Sequence, residues 1–198
     1  MTTRLTRAEQ VERNRELVLV AARRIFLERG YGGANLDAIA HEAGFSKGVV
    51  YSQFASKADL FLALLERRIS DRAAENARVA AAHAGLDGLL ALLRTNVRRT
   101  EEGAGWLRLL VEFRVLAARD PGLGRRYADL HARALGHFTE AVGSVLARGG
   151  LAPVYPPRVF AELIFAVDAG LLLERAADPA ALPVRYLEDL AARLVEPI

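Results

Sequence analysis

The 198-residue chain contains no cysteine, which excludes disulfides, thiolate zinc sites, iron–sulfur ligation and thiol catalysis. It also has no long uncharged apolar run. The best stretch, Val159 to Leu173, is interrupted by Glu162 and Asp168 and is too short to span a bilayer. The opening residues, MTTRLTRAEQ, are polar and show no signal-peptide pattern. These absences predict a soluble, cytoplasmic protein with no membrane partner. Lysine is scarce as well: Lys47 and Lys57 are the only two, against many arginines. What remains is enough for a real interior, since 52% of residues are hydrophobic and 26% charged. The length suits one ordinary domain, or two small ones sharing a core.

The charge is unevenly placed. Residues 1–57 hold nine basic and six acidic side chains, so the whole net charge of +3 lies in the first quarter of the chain. Beyond it, acids and bases cancel. A basic end joined to a neutral body suggests one segment that meets phosphate and another with a different task.

Helical spacing dominates, and no convincing period-2 strand stands out. Thr6 and Glu9 form a capping box, followed by an apolar face of Val11, Val18, Ala22, Ile25 and Phe26 that ends at Gly30, with Tyr31–Ala34 as loop. Asn35 caps a short helix through Ala43, Gly44 stops it, and Ser46 caps another over about 47–53. Ser56 and Asp59 start a long helix toward His83. Further helices are predicted at 86–101, 105–119, 122–148, 156–176 and 184–195. Their breaks fall at Gly85, at Gly103 and Gly105, at Asp120-Pro121, at Gly149-Gly150 and at Asp178-Pro179. Leu123, Tyr127, Leu130, Ala134, Phe138, Ala141 and Val145 recur every three or four residues, as in a helix bundle. Residues 159–173 are apolar nearly all round and call for cover on more than one side, a second subunit included. Val184, Leu187, Ala191 and Leu194 form a narrow stripe that can join the same contact.

Residues 36–54 carry the most information. They read as helix, tight turn, helix, with Leu36, Ile39, Ala40, Phe45, Val50 and Phe54 forming a small core with Ile25 and Phe26. Gly44 allows the positive-φ turn that sets the two helices at a steep angle. This is helix-turn-helix geometry, in which the second helix enters the major groove of double-stranded DNA. Its outward residues are Ser46, Lys47, Gly48, Val49, Tyr51, Ser52 and Gln53. Lys47 and Gln53 can hydrogen-bond bases or phosphate, and Val49 can touch a thymine methyl. Gly48 permits close approach, and Tyr51 and Ser52 reach phosphate oxygens. Lys57, a cation at a helix start, is a further phosphate candidate.

The run from Asn35 to Phe61 resembles the N-terminal signature of the tetracycline-repressor (TetR) family. The matching residues are Ile39, Ala40, Ala43, Gly44, Ser46, Lys47, Gly48, Tyr51, Phe54, Ser56, Lys57 and Leu60. The resemblance implies an all-α protein: a three-helix helix-turn-helix DNA-binding domain, here 1–56, then a helical effector-binding and dimerisation domain, 57–198. It implies a homodimer joined through its last two helices, usually a repressor, that binds operator DNA and answers to a small molecule. Carried over by position, Lys47, Gly48, Val49, Tyr51, Ser52, Gln53 and Lys57 are the DNA contacts. Two positions depart from the pattern. Asn35 replaces the commoner Thr or Ser cap, and Asp37 stands where some members place a DNA-contacting basic residue, so no base contact is expected from it.

The body offers a face of Trp106, Leu110, Phe113 and Arg114 at i, i+4, i+7 and i+8, with Phe138, Phe165 and Asp168 on neighbouring helices. An apolar cavity with a few polar groups suits a small, mainly hydrophobic effector with one polar or anionic group. Nothing points to catalysis. His41, His83, His131 and His137 form neither an HExxH motif nor a compact carboxylate cluster, so no metal site is predicted. Gly122-Leu-Gly124 lacks the third glycine and the preceding strand of a dinucleotide motif, and no nucleophile elbow is present. No enzyme and no cofactor are expected. The reading is a ligand-released repressor on a palindromic operator. The alternative is a helical protein-interaction adaptor without sequence-specific DNA binding, which leaves the outward Lys47, Tyr51 and Lys57 without a purpose.

Overall fold

The structure, a computed structural model, describes residues 6–101, 104–178 and 180–198. Among them the chain forms nine helices and one two-stranded ladder. The helices are α1 (Arg7–Gly33), α2 (Leu36–Glu42), α3 (Lys47–Tyr51), α4 (Lys57–Ala82), α5 (Gly85–Glu101), α6 (Ala104–Ala117), α7 (Pro121–Arg148), α8 (Pro157–Ala177) and α9 (Val184–Arg193). The fold is all-α in class. No described helix is long and apolar enough to cross a membrane.

The helix starts follow the sequence. Thr6 and Glu9 close a full capping box: the Thr6 N–H donates to Glu9 Oε2 (2.7 Å) and the Glu9 N–H to Thr6 Oγ1 (3.3 Å). Asp120 accepts from the Gly122 and Leu123 amides (2.8 and 3.0 Å), with Pro121 at the first helical position where its missing N–H costs nothing. Gly103 and Pro179, both read as breaks, lie outside the described residues.

Two compact units divide the chain. The first takes everything through Arg68 together with Arg108–Tyr127. The second takes Ile69–Leu107 together with Ala128–Ile198. In the first, Val18, Ala22, Ile25, Phe26, Leu36, Ile39, Ala40, Val50 and Phe54 are buried. Phe45 is half-buried, and Val11 is exposed, because α1 extends beyond the helices that cover its middle. An aromatic group joins Phe26, Tyr31, Phe61 and Phe113, with Phe61 and Phe113 centroids 4.3 Å apart. Phe113 thereby ties part of α6 to the N-terminal helices.

The second unit packs Leu89, Leu92 and Leu93 of α5 against Leu135, Phe138, Val142, Val145 and Leu146 of α7 and Phe160, Ala161 and Ile164 of α8. The seam predicted on α7 is there, with Leu130, Phe138, Ala141 and Val145 buried. Arg94 forks onto Glu188, Nε to Oε1 at 2.8 Å and Nη2 to Oε2 at 2.9 Å, fastening α5 to α9.

Three local expectations change. Tyr31–Ala34 is not simple loop: Gly30 turns at φ +70°, and helix resumes through Gly33 with Tyr31 buried beneath it. The last helix stops at Arg193, and Val195–Pro197 pairs antiparallel with Leu151–Pro153. Three residues ending in proline are too short for alternation to register, so the ladder was invisible to pattern. Leu187 and Ala191 are buried in the core of their own chain rather than left for a partner; the side chain of Val184 lies outside the described residues.

Candidate nucleic-acid interface

The turn between α2 and α3 is built by backbone bonds. Asn35 Oδ1 accepts from the Ala38 amide (2.8 Å) to start α2. At its end Gly44 stands at φ +72°, the Phe45 N–H donates to Ala40 O (2.9 Å) and the Gly44 N–H to His41 O (3.1 Å). That pair of bonds is a Schellman ending, which needs a left-handed residue and so favours glycine. It reverses the chain in two residues and delivers Ser46 as the cap of α3.

Short α3 anchors itself through Val50, which is fully buried, and Phe54 just beyond it. The opposite side is exposed: Ser46, Lys47, Gly48, Tyr51 and Ser52. The Ser46 hydroxyl makes no capping bond. A Cβ built on Gly48 would meet only Ser46 Oγ, at 4.0 Å, so the protein itself leaves that spot open. Tyr51 is 51% exposed. Val49 is half-buried, and Ser52 Oγ donates to its carbonyl (2.9 Å). Gln53 sits past the end of α3, half-buried, with Oε1 enclosed and without a donor, so it is turned further inward than its sequence position suggested. Behind α3, the Arg15 guanidinium lies 4.7 Å from the Phe54 ring centre and packs the helix against α1.

The two lysines have different surroundings. Lys47 projects from the start of α3 and is ion-paired with Asp37 on the first turn of α2. The pairing raises the Lys47 pKa above the ordinary lysine value, through the hydrogen bond first and the Asp37 charge second. Lys57 faces inward. Its Nζ donates to Tyr31 O (2.7 Å), Ala34 O (2.9 Å) and Gly32 O (3.3 Å), and stands 4.6 Å from the Tyr31 ring centre. An ammonium has three protons, and these carbonyls account for all of them. In this arrangement Lys57 caps the end of α1, and its sequence-based reading as a phosphate contact draws no support from these bonds. Burial lowers its pKa, opposed by the Glu112 charge.

Glu112 on α6 holds the same corner, where Oε2 accepts from the Tyr31 amide (2.7 Å). Asp59, on the first turn of α4, pairs with Arg126 of α7 at 2.6 Å. Its pKa is lowered by the Ser56 hydrogen bond foremost, against some burial. No local pattern points to Glu112, which lies 81 residues along the chain from Tyr31. The Asp37–Lys47 pair was within reach, because opposite charges on the first turns of two helices joined by a known turn lie close together.

The seven effector candidates are divided. Leu110, Phe113 and Arg114 belong to the first unit; Trp106, Phe138, Phe165 and Asp168 belong to the second. Phe113 is fully buried in the aromatic group, and Arg114 bonds the Tyr127 hydroxyl. In the second unit Trp106 and Phe138 are buried, and Phe165 lies 5.3 Å from Phe138, centre to centre. Burial raises the Asp168 pKa, and the positive charges of Arg72 and Arg175 pull against that rise. An open groove in this unit lies between Ala73, Ala77 and Ala81 of α4 and His137, Glu140 and Ser144 of α7, and none of the seven candidates lines it. Among the described residues no group of His, Asp or Glu is placed to hold a metal ion.

Known proteins share both the sequence and the architecture. Residues 18–64 match the family of bacterial regulatory proteins named for tetR, and residues 85–198 match the C-terminal region of BetI-type transcriptional repressors. The transcriptional activator FasR of Mycolicibacterium smegmatis is 36% identical over 101 residues, which is 51% of this chain and 38% of FasR. The transcriptional repressor AcnR of Corynebacterium diphtheriae is 31% identical over 129 residues, 64% of this chain and 61% of AcnR. The chain thus spans less than two thirds of the length of each of these two relatives. In fold it is similar to the fatty acid degradation regulator FadR of Bacillus halodurans, with TM-score 0.73 at 16% identity over 91% of this chain and 93% of that one. These relatives are transcriptional regulators, not enzymes. With family matches over both ends of the chain and the helix-turn-helix in place, the chain belongs to the TetR family of bacterial regulatory proteins, with a C-terminal region of the BetI repressor type.

Proposed function

We propose that the protein is a ligand-responsive repressor that binds a palindromic operator as a homodimer and is released by a small, mainly hydrophobic molecule. The observation that carries this reading is the exposed face of α3. Ser46, Lys47, Gly48, Tyr51 and Ser52 stand on a helix whose other side is anchored by Val50, in the one segment of the chain with excess positive charge. Lys47, Tyr51 and Ser52 take phosphate or base edges, Gly48 lets the backbone approach, and half-buried Val49 and Gln53 contribute from the margin. Residues 1–56 carry DNA binding and 57–198 the effector and dimer functions. Lys57 positions α1 against the start of α4.

On the effector side, Trp106, Phe138 and Phe165 supply apolar surface, and Asp168 supplies a polar group within reach of the charges of Arg72 and Arg175. That mixture suits a ligand with an apolar body and one polar or anionic group. Leu110, Phe113 and Arg114 belong to the other unit and are not part of this proposed set. Support comes from a fold neighbour, FadR of Bacillus subtilis, whose structure was solved with stearoyl-CoA (TM-score 0.69, 14% identity, over 90% of this chain and 96% of that one). Because α4 is continuous from Lys57 to Ala82, a ligand that tilts it moves Lys57 and with it the end of α1. The ligand must bind the two arrangements unequally to shift anything.

Selection of bound fragments from a host genome by the purified chain tests the reading, with affinity followed across salt. A shared palindrome and a log–log salt slope of about 0.9 per phosphate neutralised are the expected result. A folded dimer that enriches no sequence and binds DNA without salt dependence overturns it in favour of the helical adaptor.

A further inference from the structure

The Asp37–Lys47 pair occupies the surface that the proposed function turns toward DNA, and it does little for the fold. The pair reaches solvent, Lys47 at 67% and Asp37 at 46%, and ion pairs so exposed add little to stability. Its effect on the local charge is large by comparison. Lys47 is the only lysine of the α2–α3 segment, and residues 35–54 hold no arginine at all. With Asp37 bound to it, the leading face of α3 presents a neutral pair in place of a lone cation.

Asp37 has a second peculiarity. Its Oδ2 meets the Lys47 ammonium, while its Oδ1 is enclosed and receives no hydrogen bond. Among the described residues Lys47 is the only side chain bonded to this carboxylate. If Lys47 moves to a phosphate, Asp37 loses that partner and remains an anion beside a polyanion. DNA bound without base contacts depends on the phosphate reach of Lys47 and so incurs this penalty. A matched site, held by Gly48, Tyr51 and Ser52, can leave the Asp37–Lys47 pair closed and avoid it.

We propose that Asp37 is a specificity-determining residue: it holds the Lys47 ammonium and so suppresses sequence-independent binding more than operator binding. The inference rests on the DNA-binding reading of α3 and adds a role to a residue from which no base contact is expected. It implies that the wild-type chain binds random DNA as though it had one cation fewer.

The test compares the full chain with Asp37→Asn and Asp37→Ser by fluorescence anisotropy across a salt series. One probe is a random-sequence 30-base-pair duplex, and the other is a fragment enriched by the wild-type chain. Both variants should tighten on the random duplex, by about eightfold at 0.1 M salt, with a slope steeper by about 0.9, the signature of one more phosphate contact. On the enriched fragment the gain should be smaller, so the ratio of specific to random affinity falls. In a Lys47→Ala background the same substitutions should change the slope by nothing. Variants that bind the random duplex within twofold of wild type at the same slope overturn the proposal while leaving the DNA-binding reading intact. An equal gain in the Lys47→Ala background overturns it too, since Asp37 would then act by repulsion alone. Absence of binding by every protein to both duplexes at the lowest salt sinks the underlying reading as well.

Discussion

Gly48 is a glycine that the fold does not ask for. It lies inside α3, and a methyl group there would find only Ser46 Oγ, at 4.0 Å. Alanine at a helix interior is favoured over glycine by about 0.8–1 kcal/mol, so the native residue gives up stability. A reason outside the chain fits, namely a surface that must come close. Gly48→Ala should therefore melt at the same temperature as wild type or higher, yet bind an enriched DNA fragment at least about tenfold more weakly, the order of one lost contact of 1–3 kcal/mol. Unchanged affinity would remove α3 from the interface. Gly44 is the opposite case, a glycine required by its own backbone at φ +72°. The two lysines divide in the same way. Both fit the family pattern, but only burial and hydrogen-bond partners show that Lys47 faces outward and that Lys57 is committed to Tyr31, Gly32 and Ala34.

At the scale of elements, the corner where α1 ends shows what a linear reading can and cannot supply. Gly30 was legible as a helix ending, because glycine at that position signals a left-handed turn. That the chain re-enters helix at Tyr31 was not, since the turn is held by Lys57 from α4 and by Glu112 from α6. Helix positions were readable from caps and from Gly and Pro punctuation; Thr6, Asn35, Ser56 and Asp120 each do at their termini what their side chains are built to do. The three-residue ladder and the burial of Leu187 and Ala191 were not, because each depends on a partner far along the chain. The start of α3 was legible, though Ser46 makes no side-chain capping bond there and the helix ends at Tyr51, short of Gln53; its pairing with Asp37 follows once the α2–α3 turn is fixed. Gly30→Ala tests the corner. The left-handed conformation costs a non-glycine residue about 1–2 kcal/mol, and the new methyl would sit 3.0 Å from both Glu112 carboxylate oxygens, tighter than ordinary contact. Urea unfolding should show a loss of at least that size. In a Glu112→Ala background, where the crowding is gone, the further loss should be smaller than in wild type. Additive losses would mean that the carboxylate and the turn are not coupled.

At the scale of the molecule, one chain presents one α3, and a palindrome has two halves. Reading both at a fixed spacing requires a two-fold partner. The surface suited to that partner is not the inward stripe Leu187–Ala191, which its own chain covers. On the homodimer proposed above, the candidates are the large apolar side chains left exposed on α8 and α9: Val159, Leu163 and Leu173 on the former, Tyr186 and Leu190 on the latter. Val159 with Leu163 and Tyr186 with Leu190 are spaced by four residues, so each pair lies on one helix face. A two-fold axis brings each such face against its own copy, which makes one substitution count twice. Leu163→Glu and Leu190→Glu should each sediment as monomer where the wild-type chain is expected to sediment as dimer, without loss of helicity. Affinity for a full palindrome should then fall to that for a duplex carrying a single half-site, because the second half-site no longer benefits from tethering. Half-site affinity itself should stay at the wild-type monomer level, since neither residue belongs to the unit that carries α3. A dimer that survives both substitutions would place the two-fold contact on another surface, and a monomer that keeps full palindrome affinity would show that the two α3 helices need no fixed spacing.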